Sequence, residues 1–290
     1  FLCSLVFVKG GTLVPTPWQS VLELIYEFVV SLVSEQIGKK GIQYFPFVFT
    51  LFTFLLFTFV VTAQKNMPVG MHYVTVESLD ANELIELEKN YFSKLHKNAI
   101  DNGEKIGWDM WRLENSANPN HTTFLYVHLQ PSLESNFGGD NKEMFPESEL
   151  SMVSKRWGEL VVKSKFIMTS YKGGFAPINE KPVKYVQLSY MNVNPTGHYD
   201  YEQMELKDFM PSHKSNKLLK GWSLHRINTP HAESEDDYLT ANFFESMEDI
   251  YRNTDGVAQL SKQQKMNYQK ILDIREMTKV EVLSLVMGVR

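Results

Sequence analysis

The hydrophobic and polar positions divide the chain into two parts of different character. Residues 44–63 contain no charged side chain and are almost wholly apolar, which matches the run of about 20 apolar residues that a helix needs to cross a bilayer. Residues 17–38 begin at a proline and end at a glycine, as helices often do, and their polar positions recur at helical spacing. We therefore expect an amphipathic helix and then one membrane-spanning or signal-type helix within 1–63.

From residue 64 onward, two series of patterns follow each other in the same order. The first series predicts a strand (71–77), a helix (81–98), strands at 105–113 and 123–129, a helix (147–165) and a closing strand (166–171). The second predicts a strand (184–191), a helix (201–210), strands at 219–227 and 238–244, a helix (260–275) and a strand (280–286). Each series has the order βαββαβ, which is that of the ferredoxin-like unit.

The two series also share residues at constant spacing, which indicates an internal repeat. A Gly-Trp motif at Gly107 recurs at Gly221. The other shared pairs are Glu88/Glu205, Phe92/Phe209, His96/His213, Trp108/Trp222 and Arg112/Arg226. We therefore predict an α+β body of two tandem units, 64–178 and 179–290.

The first part of the chain carries a specific resemblance. Its stretches WQS, YEFV, EQIG and YFPFVFTLF, between Leu13 and Thr58, together resemble the N-terminal part of subunit a of the proton-translocating ATP synthase, above all the mitochondrial type. The family's long membrane helix with its essential arginine has no counterpart here. The resemblance thus implies a truncated membrane anchor that does not translocate protons.

The end of this segment also has the pattern of a secretory signal. The apolar run that begins at Leu51 ends in Val61-Thr62-Ala63, a small-residue pattern typical of a cleavage site. The same residues therefore allow two locations. We expect a membrane-associated chain, or a secreted or periplasmic body if the chain is cleaved after Ala63.

Two βαββαβ units in one chain resemble the dimeric α+β barrel superfamily, in which two antiparallel sheets pack face to face. The resemblance lies in the order of elements and not in a diagnostic motif. It implies that the units of this chain form a pseudo-dimeric α+β barrel. The superfamily includes haem enzymes and monooxygenases, so its fold does not select one activity.

Composition removes several function classes. The net charge is -5 and no Lys/Arg-rich run is present, which argues against nucleic-acid binding because that function needs a basic surface. Cys3 is the only cysteine, so the body has no cysteine ligand or nucleophile. The eight histidines show no metal-ligand spacing, and we predict no metal site. A haem needs one histidine, so the sequence allows haem without supporting it.

Two sets of repeated residues are candidates for a binding site. Glu88 and His96 lie on one helix face with Phe92 between them, and the second copy has Glu205 and His213 in the same arrangement. Such a pair can bind a ligand, or the histidine can act as a general base. The alternative is that the phenylalanine packs in the core and the polar residues flank it.

The second set lies on the strands of the Gly-Trp motif. Trp108 and Arg112 are four residues apart on one strand, as are Trp222 and Arg226, so each pair shares a face. They could line a cavity inside the barrel, with arginine binding an anionic ligand against the tryptophan ring. The alternative is that each motif packs in the core.

Three functions remain open from the sequence. We expect a membrane anchor joined to a body that binds a small molecule in its barrel. The first alternative is an enzyme, either a monooxygenase with few cofactor needs or a haem-dependent one, which would use His96 or His213 with Arg112 or Arg226. The second is a structural or interaction domain. A large cavity that contains the candidate residues would favour the first two.

Overall fold

The computed structural model describes residues 66–135, 144–175, 183–230, 236–254 and 261–290, together with Glu27, Val30, Ser31, Glu35 and Phe45. The chain divides into two compact units, Phe1–Ala63 and Gln64–Arg290. In the first unit Glu27, Ser31 and Glu35 are helical and exposed. The rest of the predicted helices at 17–38 and 44–63, and the predicted cleavage site, lie outside the described residues. No helix in the described part of the chain is long and apolar enough to cross a membrane.

In the second unit every predicted strand and helix is present. The strands are β1 (Pro68–Glu77), β2 (Gly107–Leu113), β3 (His121–Leu129), β4 (Val161–Gly174), β5 (Tyr185–Val193), β6 (Gly221–Thr229), β7 (Tyr238–Phe244) and β8 (Arg275–Val289). The helices are α1 (Ala81–Leu87), α2 (Ser93–Asp101), α3 (Glu147–Leu160), α4 (His198–Gln203), α5 (Met210–Ser215), α6 (Met247–Thr254) and α7 (Lys262–Ile274). Two π-helical turns, π1 (Glu88–Phe92) and π2 (Met204–Phe209), join α1 to α2 and α4 to α5.

Helix α3 is shorter than predicted. It ends at Leu160, and β4 begins at Val161, where the sequence predicts a helix that continues to residue 165. Val161 and Val162 are β-branched residues that favour strands, and Val161 pairs with Val76 of β1. Pairing with a neighbouring strand therefore ends the helix early.

The eight strands of this unit form a closed barrel in the order β1-β3-β2-β8-β5-β7-β6-β4. All neighbouring strands are antiparallel. The first half of the unit supplies four adjacent strands, β4-β1-β3-β2, and the second half supplies β8-β5-β7-β6 in the corresponding order. The halves join where β2 pairs with β8 and β4 pairs with β6. The α+β barrel expected from the sequence is therefore present.

Alternating residues of each strand face the inside and the outside of the barrel. The inner face holds a large apolar cluster that includes Trp111, Leu125 and Leu239. The outer face is covered by helices in two places, with one cluster around Trp108 and Phe124 and another that includes Trp222, Leu224 and Tyr201. The barrel thus offers two kinds of interior space, one inside the strands and one beneath the helices.

The second helical stretch continues past Pro211. The sequence suggests that this proline would disturb the helix, yet α5 extends to Ser215 with proline in its first turn. A proline is tolerated there because the first turn needs no donor from its nitrogen. The π2 turn ends one residue before α5 begins, so both halves have a π-helical turn between two α-helical segments.

Candidate functional site

A pocket of about 360 Å³ lies between the outer face of the first sheet and the helices that cover it. We call it the outer pocket. Its lining residues are His72, Glu88, Phe92, His96, Trp108, Tyr126, His128, Ser154, Trp157 and Phe166. It therefore brings together three residues predicted as site residues, Glu88, His96 and Trp108.

The strand register places the floor of the outer pocket. His72 of β1 lies opposite Tyr126 of β3 on one side and opposite Phe166 of β4 on the other. In the next row, Trp108 of β2 lies opposite His128 of β3. Because side chains of directly opposed residues point to the same face, these five form one aromatic floor on the outer side of the barrel.

The roof comes from the helices, and the end of α2 directs Lys105 into the site. Glu88 is 3% exposed and His96 is 6% exposed, on π1 and α2 respectively. The chain then turns back through Gly103, whose φ of 76° suits glycine at a helix end. This turn brings Lys105 under α2, where it is 2% exposed.

Lys105 connects two histidines of the outer pocket. Its Nζ lies 3.0 Å from Nδ1 of His96 and 3.3 Å from Nδ1 of His128. An ammonium group only donates, so both Nδ1 atoms accept and each neutral ring carries its proton on Nε2. Burial lowers the pKa of His96 and of His128 well below the usual value, and the charge of Lys105 lowers both further. Burial also lowers the pKa of Lys105, to about 8.

Glu88 is the acidic group of the outer pocket. Burial raises its pKa to about 7, although a hydrogen bond from Trp157 acts in the opposite direction. The indole Nε1 of Trp157 donates to Glu88 Oε1 at 2.8 Å. A hydrogen bond from the Tyr126 hydroxyl also lowers the pKa of Glu88.

The outer pocket has stacked ring walls. The ring of His96 lies 4.8 Å from that of Trp108 at an interplanar angle of 29°. The ring of Trp108 in turn lies 5.8 Å from that of Tyr126 at 18°. A planar molecule would therefore find ring faces and several hydrogen-bonding groups in one small space.

His96 and His128 do not suit a haem iron. A metal-bound histidine presents a bare nitrogen to the metal while its other nitrogen donates to an acceptor. In His96 and His128 this second nitrogen receives a hydrogen bond from Lys105, which leaves the proton on the nitrogen that would bind iron. Across the described residues, no group of three or more His, Cys, Asp or Glu side chains is placed to hold a metal ion.

The second half repeats part of this arrangement. His213 stacks on Trp222 at 5.2 Å, as His96 stacks on Trp108. Glu205 is 5% exposed, and burial raises its pKa to about 7 while Arg275 and Tyr201 lower it. The surroundings differ, because the position of Lys105 is held by Leu219. The basic group that joins two histidines in the first half is therefore specific to that half.

The Trp/Arg pairs do not line the inside of the barrel, which the sequence left open as one of two alternatives. Trp108 and Trp222 are buried on the outer face, beneath the helices. Arg112 and Arg226 share that face but are exposed near the strand ends, where the guanidinium carbon of Arg226 lies 6.0 Å from the ring centre of Tyr238. The inward positions are the odd-numbered ones of β2 and β6, so the motif points to the outer face instead.

A separate cavity of about 280 Å³ lies inside the barrel. We call it the interior cavity. Its lining includes Trp111, Leu125, Ser223, His225, Ala241 and the ion pair of Asp109 with Arg290. None of the residues predicted as site residues lines it.

Seven residues of the site were not predicted: His72, Lys105, Tyr126, His128, Ser154, Trp157 and Phe166. Comparison of the two repeats offers a signal for Lys105, since a lysine stands where the second copy has a leucine. Tyr126 and His128 alternate on β3 and share a face with Trp108 only through strand register. Trp157 comes from a distant helix, and no local pattern relates it to Glu88.

The pKa of Glu88 predicts how stability changes with pH in a Glu88→Gln variant. The unfolded carboxyl ionises near its usual pKa of 4.5 and the folded one near 7, so the wild type loses stability as pH rises between these values. Glutamine is neutral throughout. We expect the variant to match the wild type at pH 4 and to exceed it by about 2–3 kcal/mol at pH 8. Urea unfolding at both pH values measures this. Equal stabilities at pH 8 would contradict the raised pKa.

Comparison with known proteins assigns the two parts of the chain to different relatives. The ATP synthase A chain family matches residues 1–78. ATP synthase subunit a of Ehrlichia ruminantium (strain Welgevonden) is 48% identical over 59 residues, which are 19% of this chain and 24% of that protein. Subunit a of Marchantia polymorpha is 39% identical over 84 residues, 25% of this chain and 33% of that protein. The chain thus spans about a quarter to a third of these curated relatives.

The body is similar to solved structures in fold alone. A candidate monooxygenase from Lactobacillus acidophilus NCFM has a TM-score of 0.51 and 10% identity, and the match covers 77% of this chain and 96% of that one. Another candidate monooxygenase, from Fusobacterium nucleatum, has a TM-score of 0.52 and 10% identity over 77% and 94% of the two chains. Residues 1–78 therefore match ATP synthase subunit a, and the second unit, Gln64–Arg290, has the fold of dimeric α+β barrel proteins.

Proposed function

We propose that the body binds a small planar aromatic molecule in the outer pocket and that the N-terminal segment attaches the chain to a membrane. The observation that supports binding most directly is the convergence of Glu88, His96 and Trp108, predicted from the sequence, on one pocket of about 360 Å³. Pockets of this size with a few polar groups among aromatic walls are typical of small-molecule sites. No nucleic acid is proposed as a partner.

The hydrogen-bonding groups indicate the chemistry of the ligand. His96 and His128 carry protons on Nε2 because Lys105 occupies Nδ1 of both rings. Tyr126 contributes a further hydroxyl. The Nε2 proton of His96 favours a ligand with a carbonyl or phenolic oxygen, and Glu88 can donate or accept because its pKa is about 7.

The membrane role rests on the first 78 residues. They match the ATP synthase A chain family. Subunit a of that complex is a membrane protein, so the resemblance implies a membrane segment in this chain as well. We propose an anchor without proton translocation, because the match does not extend to the family's later helices. Cleavage after Ala63, which would release the body, is the alternative.

We also propose that the two halves of the barrel are copies of one ferredoxin-like unit, with a boundary near residues 178 and 179. The corresponding strand orders and the π-helical turn in each half support this. So does the stacking of histidine on tryptophan in both. A duplicated unit explains why Glu88 and Glu205 occupy matching places.

The binding proposal is tested by obstruction of the pocket. Ser154 is exposed and lines the outer pocket, whereas the neighbouring Lys155 is exposed and does not. Native mass spectrometry of the full chain, with a visible absorption spectrum of the same sample, would reveal a bound molecule. We expect Ser154→Trp to lose that mass and the matched Lys155→Trp to keep it. Retention of the mass by Ser154→Trp, or no bound mass in the wild type, would contradict the proposal.

A second candidate function is an enzyme in which Glu88 acts as a general base. The supporting observation is its pKa of about 7 beside the Tyr126 hydroxyl, because a base works best when its pKa is near the working pH. Glu88 would remove a proton from a CH₂ group that is conjugated with a carbonyl through aromatic rings. Reaction of the carbanion with dioxygen would then give a ketone and water.

An oxygen electrode tests the enzyme candidate with anthracenone, which has such a CH₂ group. We expect oxygen uptake that falls by about 10²–10⁴-fold in Glu88→Gln and is unchanged in Lys155→Trp. If the wild type takes up no oxygen, or if Glu88→Gln and Lys155→Trp take it up at the same rate, ligand binding remains the function of the pocket.

A further inference from the structure

The interior cavity is too large to be an ordinary packing defect. Protein cores are packed to crystal-like density, and voids larger than a water molecule are few. A cavity of about 150 Å³ is already enough to bind benzene, and this one measures about 280 Å³. The exposed Lys220 at its rim shows that it reaches the surface at one end of the barrel. The cavity can therefore accept a molecule from solution.

Comparison of the two halves shows how the space arises. In the first half, Asp109, Trp111 and Val127 face the inside of the barrel. The matching positions of the second half hold smaller side chains, Ser223, His225 and Ala241. Ser223 and Ala241 lie directly opposite each other on β6 and β7. The room thus comes from three substitutions that are grouped on one wall.

Apart from Lys220 at the rim, whose ammonium donates to the backbone oxygen of Lys217 at 3.0 Å, the lining carries no net charge. Both oxygens of Asp109 are bound by Arg290, at 2.7 and 2.8 Å, so these charges compensate each other. Burial lowers the pKa of His225 to about 4, and the ring is neutral at physiological pH. An ionised ligand would lose its hydration without gaining a counter-charge from these groups, so the interior favours a neutral one.

The hydrogen bonds of Ser223 and His225 leave the serine oxygen as an acceptor for a ligand. Thr169 Oγ1 donates to the carbonyl oxygen of Val69 at 3.1 Å, so its longer contact of 3.5 Å with His225 Nδ1 assigns the ring proton to Nδ1. His225 Nε2 then accepts from the Ser223 hydroxyl at 2.9 Å. Ser223 has donated its only proton, and its oxygen can accept one from a ligand.

We propose that the interior cavity is a second ligand site, separate from the outer pocket, which takes a neutral alcohol or phenol with an apolar skeleton of about two fused rings and binds its hydroxyl through Ser223. The size follows from the volume, which is nearly twice that of the benzene-binding cavity. The hydroxyl follows from the acceptor that Ser223 presents to the cavity. The site does not depend on the function of the outer pocket.

Methionine methyl groups provide a local readout. Met67 and Met71 line the interior cavity, whereas no methionine lines the outer pocket. We would label the methionine methyls of the full chain in lipid nanodiscs and assign these two NMR signals with Met67→Leu and Met71→Leu. The probe is 2-naphthol. Two compounds serve as controls: naphthalene, which lacks the hydroxyl donor, and 2-naphthoate, which carries a negative charge.

We expect 2-naphthol to shift the Met67 and Met71 signals saturably and about tenfold more tightly than naphthalene, as one hydrogen bond allows. 2-Naphthoate should not shift them. Ser223→Ala should reduce the affinity for 2-naphthol to that for naphthalene and leave naphthalene unchanged. Ala241→Leu should abolish both shifts by filling the space, and Glu88→Gln should change neither.

Two results would overturn the proposal. If 2-naphthol produces no saturable shift of Met67 and Met71, the cavity is not a site for this class of molecule. If Ser223→Ala binds 2-naphthol as tightly as the wild type, the serine does not recognise the hydroxyl. Ser223→Ala removes one oxygen only, so it serves as the test even if Ala241→Leu does not fold. The variants Ser154→Trp and Lys155→Trp test the outer pocket, so their result is independent of this proposal.

Discussion

Replacement of Trp222 by alanine is expected to lower the free energy of unfolding by about 3–5 kcal/mol. Trp222 is 1% exposed, packs in the cluster beneath the second set of helices and stacks on His213. Its backbone oxygen also accepts a hydrogen bond from Phe175 at 2.9 Å. Alanine keeps that backbone bond and leaves a large void beside it, and the surrounding strands of a closed barrel have little freedom to fill the void.

Urea unfolding followed by circular dichroism measures this loss. The control is Leu79→Ala, since Leu79 is 96% exposed and an exposed substitution usually changes stability by less than about 0.5 kcal/mol. If Trp222→Ala were as stable as the Leu79 variant, Trp222 would not be part of the core.

Removal of the Asp109 carboxylate is expected to destabilise the fold by a comparable amount, about 3–5 kcal/mol, because it leaves the guanidinium of Arg290 buried and without its counter-charge. The side chains of Asp109 and Arg290 are 5% and 12% exposed, so water can replace little of the lost interaction. Burial raises the pKa of Asp109, and Arg290 opposes that shift. The carboxylate and the guanidinium thus depend on each other.

A double-mutant cycle separates the charge effect from the loss of packing. We expect Asp109→Ala combined with Arg290→Met to be more stable than Asp109→Ala alone, because the second change removes the isolated charge. The matched surface control is Glu86→Ala, whose partner Lys89 lies at 3.4 Å with both side chains more than half exposed. Such surface pairs contribute about 0–1 kcal/mol. If Asp109→Ala had only that effect, the ion pair would not stabilise the barrel.

The elements of the body could be predicted from the sequence because local pattern determines them. The alternation of apolar and polar residues predicts β1 and β3, and apolar residues at helical spacing predict α1 and α2. The repeated Gly-Trp motif relates one half to the other. The end of α3 could not be predicted, since Val161 becomes part of a strand only by pairing with Val76. A helix boundary set by a distant strand leaves no signal in the nearby residues.

The candidate site was predicted in part. Glu88, His96 and Trp108 do lie together, because the helices of the first half pack on the outer face of the sheet around Trp108. Arg112 does not join them, because it lies on the same outer face as Trp108 but four residues farther along β2. Arg226 is on β6, in the second half of the barrel. The interior cavity could not be predicted at all, because its volume depends on the sizes of side chains from several strands.

The joining of two halves in one chain gives the barrel a freedom that a pair of identical subunits lacks. In a symmetric dimer every substitution occurs twice, on both sides of the axis. Here Lys105 can serve one half while Leu219 fills the same place in the other, and Trp111 can close the wall that His225 leaves open. Different side chains at corresponding positions thus allow one small barrel to contain two dissimilar cavities.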